Sequence, residues 1–102
     1  MAIEVRIPTI LRSYTNGEKQ VEGKGETLAE LFSDLDHSYG GLRGRLVGVD
    51  GGLNRFVNVY LNDEDVRFLG GIETPLSDGD VVTILPAVAG GAGVDKDTAA
   101  RG

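Results

Sequence analysis

Pro75-Leu76-Ser77-Asp78-Gly79-Asp80-Val81-Val82-Thr83-Ile84-Leu85-Pro86 is the stretch on which the fold turns. Ser77 to Asp80 has turn composition, and the β-prone run from Val81 to Leu85 is ended by Pro86, which has no N–H to give to a ladder. This reads as the last strand. At the other end of the chain, Ile3, Val5 and Ile7 alternate with Glu4 and Arg6, the period of a strand with one buried face, before Pro8 stops it.

Between these two strands the signals change period. Tyr14-Thr15-Asn16-Gly17 carries an Asn-Gly turn, and Lys19 to Glu22 supplies a returning strand, so the chain starts with a hairpin. Thr27 and Glu30 have capping-box spacing, with Thr27 accepting from an early helix amide and Glu30 reaching back. The spacing predicts a helix over 28–38. Its apolar stripe is Leu28, Leu31, Phe32 and Leu35, and Gly40-Gly41 suits the left-handed position after its end. Leu42 to Arg55 is a glycine-punctuated connection with a short helical turn from Leu42 to Val47. Phe56 to Leu61 is a strand, and Asn62 to Asp65 turns it into a short strand at Val66 to Phe68.

This order has too few helices for a doubly wound sheet and too isolated a helix for a bundle. The expected fold is therefore α+β: a mixed β-sheet with one principal helix across one face. Its first and last strands pair in parallel at the centre, which sends the C-terminus outward. Strand alternation that turns Val57, Val59 and Leu61 toward the helix puts Phe56, Asn58 and Tyr60 on the other face. There the aromatic pair either anchors partners or is covered by the Leu42 to Arg55 connection.

A chain of 102 residues with 40% hydrophobic and 25% charged content fits one folded domain. The formal charge of -6, with its ten basic residues scattered along the sequence, excludes unspecific attraction to nucleic acid or an anionic membrane. It suits either a partner with a basic patch or plain solubility. There is no cysteine, so neither a disulfide nor thiolate chemistry is available, and His37 is the single imidazole that a metal could use. No signal-peptide or membrane-length apolar run is present, so the chain is expected in the cytoplasm.

Several acidic and glycine-rich stretches read as structure. Asp63, Glu64 and Asp65 lack the alternating ligand spacing of a calcium loop, and Asp78 and Asp80 flank Gly79 as turn carboxylates. His37 sits near the helix C-terminus as a surface residue. Neither phosphate-binding glycine pattern occurs, so no nucleotide site is expected in the chain itself. Beyond the last strand, residues 87–102 are mostly small and carry no apolar period, and the reading is a flexible tail.

Three stretches carry a family resemblance: Val57-Asn58-Val59-Tyr60-Leu61-Asn62-Asp63-Glu64-Asp65-Val66-Arg67, the Pro75 to Pro86 stretch, and Ala87-Val88-Ala89-Gly90-Gly91. Together they resemble the β-grasp sulfur carriers, the ubiquitin-like family of the molybdopterin synthase small subunit and the thiamin sulfur carrier, over Ile3 to Gly91. Ile7-Pro8-Thr9-Ile10-Leu11-Arg12, Phe56-Val57-Asn58 and Leu85 to Gly91 are most similar to the actinobacterial carriers used for cysteine synthesis.

The resemblance implies a division into a β-grasp domain over 1–86, an activation arm over 87–91 and a disordered tail over 92–102. It also implies that the chain is not an enzyme. An activating enzyme of the ubiquitin-activating type uses ATP to adenylate the Gly91 carboxyl, and sulfur displaces AMP to leave a thiocarboxylate. The acceptor is a synthase, in the cysteine branch a pyridoxal-phosphate enzyme holding O-phosphoserine. Molybdopterin or thiamin synthesis, or conjugation to a target lysine through Gly91, are the alternatives. Glycine pairs also stand at 40 and 41, 51 and 52, and 70 and 71, so the pair at Gly90-Gly91 gains meaning from following the last strand.

The arm residues are Pro86, Ala87, Val88, Ala89, Gly90 and Gly91, and the expected partner-binding residues are Phe56, Asn58, Tyr60 and Leu85. Family members typically end at the second glycine, whereas here Ala92 follows, so cleavage between Gly91 and Ala92 by a JAMM-type zinc peptidase is expected. A harmless disordered terminus is the other reading.

Overall fold

The computed structural model describes residues 2–87; the expected arm from Val88 to Gly91, the Gly91–Ala92 cleavage site and the tail lie outside the described residues. Five strands, β1 (Ile3–Arg6), β2 (Gln20–Gly23), β3 (Val57–Leu61), β4 (Glu64–Asp65) and β5 (Val81–Pro86), form one sheet in the order β2-β1-β5-β3-β4. β1 and β5 pair in parallel at its centre, as expected, with Val5 opposite Val82, and all other neighbours are antiparallel. Helix α1 (Leu28–Ser38) covers one face, and the one-turn helix α2 (Arg43–Leu46) follows it.

α1 has the predicted bounds because its start is fixed locally. The Thr27 hydroxyl accepts from the Glu30 amide at 3.3 Å, and the Leu28 amide is satisfied by the Thr74 carbonyl at 3.1 Å. Glu30 does reach back, but it accepts from the amide of Glu26 at 3.0 Å, one residue before the cap. The approach to the helix is close: a Cβ on Gly25 would stand 2.5 Å from the Leu31 nitrogen. Leu28, Leu31, Phe32 and Leu35 are fully buried and join Ile3, Val5, Val57, Val59, Val82 and Ile84 in the core.

Two expected elements differ. The connection from β1 to β2 is a 3-10 helix over Thr9–Thr15 that leads into the Asn16-Gly17 turn, where both residues have positive φ. Local hydrogen bonds hold it, from the Leu11 amide to the Pro8 carbonyl and from the Thr15 hydroxyl to the Glu18 carbonyl. The short strand expected at Val66 to Phe68 is another 3-10 turn, and the pairing falls on Glu64 and Asp65 instead. Asn62 and Asp63 both adopt positive φ, so the chain reverses in two residues and reaches its partner strand at once. Asp65 then caps the next turn, accepting from the Arg67 amide at 2.9 Å, while Val66 plugs into the core.

The end of β5 also differs. Pro86 belongs to the strand, opposite Val57, and the Ala87 amide donates to the Phe56 carbonyl at 2.9 Å, so Pro86 and Ala87, expected in the arm, are paired with β3 and its preceding residue. Antiparallel pairs alternate between bonded and non-bonded, and Phe56 with Ala87 is a bonded pair. Val57 with Pro86 is therefore non-bonded, and the missing proline N–H costs no bond to β3. On the other side, β1 ends at Arg6, opposite Thr83, and has no acceptor left to offer. Among the described residues, no helix is long and apolar enough to cross a membrane.

Two predictions test this packing. Leu31→Ala should destabilise the fold by about 2 to 5 kcal/mol in denaturant unfolding, since the side chain is fully buried; an unchanged midpoint would place Leu31 outside the core. The second concerns Asp65, whose carboxyl is held below its ordinary value of 3.8, first by the hydrogen bond from the Arg67 side chain and then by the bond from the Arg67 backbone. Its stabilising contribution is fully present above that ordinary value and is lost as pH falls through the lowered one. The melting-temperature gap between wild type and Asp65→Asn should thus be steady near neutrality and shrink in acid. A gap that grows in acid would contradict the pairing.

Candidate functional site

The described part of the last strand ends beside two exposed apolar side chains, Leu85 and Phe56. On β5, Val82 and Ile84 point to the helix, so Thr83, Leu85 and Ala87 fall on the open face. Next to them β3 turns Val57 and Val59 inward, which puts Asn58 and Tyr60 on the same open face, with Phe56 just before the strand. Leu85 is 44% exposed and Phe56 is 56% exposed, which decides against the alternative that the Leu42 to Arg55 connection covers both aromatics. Tyr60 is only half-buried, and Arg55 places its guanidinium 5.2 Å from the centre of the Phe56 ring, in cation–π range.

Asn58 has a different situation from its neighbours. Its side-chain oxygen accepts a hydrogen bond from Arg67 Nη2, and the same guanidinium pairs with Asp65 at 3.2 Å. Asn58 is thus committed to a surface network joining β3 to the turn after β4. The structure places Phe56 and Leu85 together at the exit and puts Tyr60 further along β3, opposite Thr83 and Asp65.

The 3-10 turn contributes a residue that sequence patterning does not single out. Ile10 is 63% exposed, and it lines one cavity with Leu85 and Pro86 and a second with Phe56 and Val57. It therefore bridges the two apolar side chains that flank the exit. Neither strand nor helix period runs through Thr9 to Thr15, so nothing in the pattern marks Ile10 as outward-facing. Arg67 was equally unmarked, because its partners Asp65 and Asn58 meet only once the β3–β4 turn forms.

Among the described residues, no group of three or more His, Cys, Asp or Glu side chains is placed to hold a metal ion. His37 is exposed on α1. Asp78 and Asp80 serve the turn before β5, accepting from the amides of Ala2 at 2.7 Å and Ser77 at 2.8 Å. What the described residues offer is three exposed apolar side chains, Ile10, Phe56 and Leu85, around the end of β5.

Known proteins match this chain along most of its length. The model of the ThiS family matches residues 5–91. The sulfur carrier protein CysO of Mycobacterium tuberculosis is 56% identical over 93 residues, covering 89% of this chain and all of that protein. Its crystal structure superposes with a TM-score of 0.82 over 84% of this chain and 99% of that one. CysO in the Amycolatopsis orientalis BexX/CysO complex is 56% identical, with a TM-score of 0.81 over 87% of this chain and 99% of its own. Small archaeal modifier protein 3 of Haloferax volcanii is 36% identical over 94 residues, covering 89% of this chain and all of that protein. This chain belongs to the ThiS family of ubiquitin-like β-grasp sulfur carriers.

Proposed function

We propose that this chain carries sulfur as a thiocarboxylate on Gly91 and releases it for cysteine synthesis. The observation that carries the reading is the position of the glycine pair: Gly91 lies four residues past Ala87, whose amide bonds to the Phe56 carbonyl beside the exposed Leu85, in a chain 56% identical to proteins named as such carriers. Four residues reach at most about 14 Å when fully extended. A partner docked on Phe56, Ile10 and Leu85 must therefore hold its reactive centre within that distance. Val88, Ala89, Gly90 and Gly91 are the inserting arm, and two residues without side chains pass a narrow channel.

The chemistry belongs to the partners. In this sequence Gly91 is bonded to Ala92, so a zinc peptidase of the JAMM type must first hydrolyse that bond to free the carboxylate. The carboxylate then attacks the α-phosphorus of ATP on an activating enzyme, expelling pyrophosphate and forming the acyl-adenylate. A sulfur nucleophile displaces AMP and leaves the thiocarboxylate, whose sulfur takes the place of the phosphate of O-phosphoserine on a pyridoxal-phosphate synthase, and a zinc peptidase then hydrolyses the cysteinyl adduct from Gly91, freeing cysteine and the Gly91 carboxylate. The partner's need for ATP supports the cytoplasm as the place of loading. This chain acts as substrate and cargo bearer, and its cofactors are those of its partners.

The modifier reading is favoured by the 36% identity to a protein named as a modifier. There a lysine amine, in place of sulfur, takes the acyl group from the same adenylate.

The test incubates the full chain and a chain ending at Gly91 with an activating enzyme, ATP and a sulfur source, and reads intact mass. Only the shorter chain should exchange one carboxyl oxygen for sulfur, until peptidase is added to the longer one. Equal loading of both would overturn the requirement for cleavage, and branched Gly91–lysine peptides in place of thiocarboxylate would support the modifier. Gly90→Val adds a β-branched side chain in the channel and should slow loading about tenfold to a hundredfold without changing the melting curve. Loading at the wild-type rate would remove Gly90 from the arm.

A further inference from the structure

Beside the exit of β5, the 3-10 turn after β1 walls off an open groove of about 500 Å³ on the outer face of the sheet. Ile10, Leu85 and Pro86 supply apolar walls, Arg6, Arg12 and Lys19 supply charge, and none of the lining residues is acidic. In a chain of formal charge -6 this is a local reversal of sign. The three cations are six and seven residues apart, on β1, its connecting turn and the approach to β2, and the antiparallel β1–β2 pair with that turn gathers them on one groove.

Their charges are available to different degrees. Arg6 Nε is spent on Glu4 at 2.9 Å. Arg12 is tethered through Nε to the Ile7 carbonyl at 3.2 Å, which orients the guanidinium without neutralising it. Lys19 is exposed, and among the described residues neither Arg12 nor Lys19 belongs to an ion pair. We infer that the groove docks an acidic peptide segment bearing an apolar side chain, presented by the protein that takes up the arm. This rests on the arm reading proposed above for the identity of that protein, but not for the chemistry of the groove.

Charge complementarity selects this occupant. The chain's own residues 92–102 are a poor match, since Asp95 and Asp97 are offset by Lys96 and Arg101. An acidic segment meets uncompensated cations at a partly apolar surface, where attraction raises the association rate and falls with salt. Leu85 and Ile10 give an aliphatic side chain of that segment somewhere to bury.

The experiment titrates the isotope-labelled full chain, by amide NMR, with the synthetic peptide Glu-Asp-Leu-Glu-Asp-Leu and with its Gln/Asn counterpart. Saturable shifts should centre on Ile10, Arg12, Lys19 and Leu85, weaken by about threefold or more between about 50 and about 300 mM salt, and be absent with the neutral peptide. Arg12→Gln combined with Lys19→Gln should abolish them and leave the rest of the spectrum in place, and Lys19→Glu alone is the second variant should the double one not fold. Equal shifts from both peptides, shifts centred elsewhere, or no saturable shifts would overturn the inference. So would a preference for a thymidine oligonucleotide of equal charge, or a dimer that occupies the groove without peptide. Peptide binding is read without sulfur loading, so failure of the carrier reading and failure of the groove give different results.

Discussion

The parallel pairing of β1 with β5 is the constraint from which the rest of the molecule follows. Parallel neighbours cannot be joined by a tight turn, so the chain between them has to cross over, and α1 is the element that makes the crossing. Ile3 and Val5 from one strand and Val82 and Ile84 from the other are buried beneath it, each 0% or 1% exposed. Both strands also run the same way, so β5 finishes at the end of the sheet where β1 gives way to the 3-10 turn. The chain exit, the apolar side chains of Ile10 and Leu85, and the groove lined by Arg12 and Lys19 share one edge for that reason.

This arrangement suits a protein whose chemistry is done to it. Among the described residues the sheet holds the chain through Ala87, and Phe56 and Leu85 are exposed beside it. The turn before β5 reinforces the grip from the other end: the Ala2 amide donates to Asp78, the Gly79 amide to the Ala2 carbonyl at 3.0 Å, and the Glu4 amide to the Asp80 carbonyl at 3.1 Å. The acidic turn residues thus anchor the first strand to the last.

How much the sequence revealed depended on whether a signal was local. Thr27 and Glu30 fix the helix start through contacts within a few residues, and the stripe from Leu28 to Leu35 marks its buried side, so α1 was legible to the residue. The central strands were legible because their β-prone runs start or stop at Pro8 and Gly79, whereas Pro86, read as the stop of the last run, is its final strand residue. Val66 to Phe68 misled because its composition is that of a strand, while the outcome was set by positive φ at Asn62 and Asp63 and by the Asp65 cap. The Thr9–Thr15 turn had no period to read, and Ile10 went unmarked with it. Basic residues that look scattered in the sequence are collected by pairing β1 with β2, a long-range event that composition does not contain. Gly90-Gly91 lies outside the described residues, and its reading rests on its place after a strand and on the family resemblance, not on any physical pattern of its own.

The central claim is that Gly91 becomes a sulfur-bearing terminus. The most direct measurement isolates the protein from the cells that make it, under conditions that preserve thioacids, and determines its intact mass and C-terminal peptide. The account predicts a population ending at Gly91 in which one carboxyl oxygen is replaced by sulfur. A protein found only with Gly91 still bonded to Ala92, in cells that are making cysteine by this route, would contradict it.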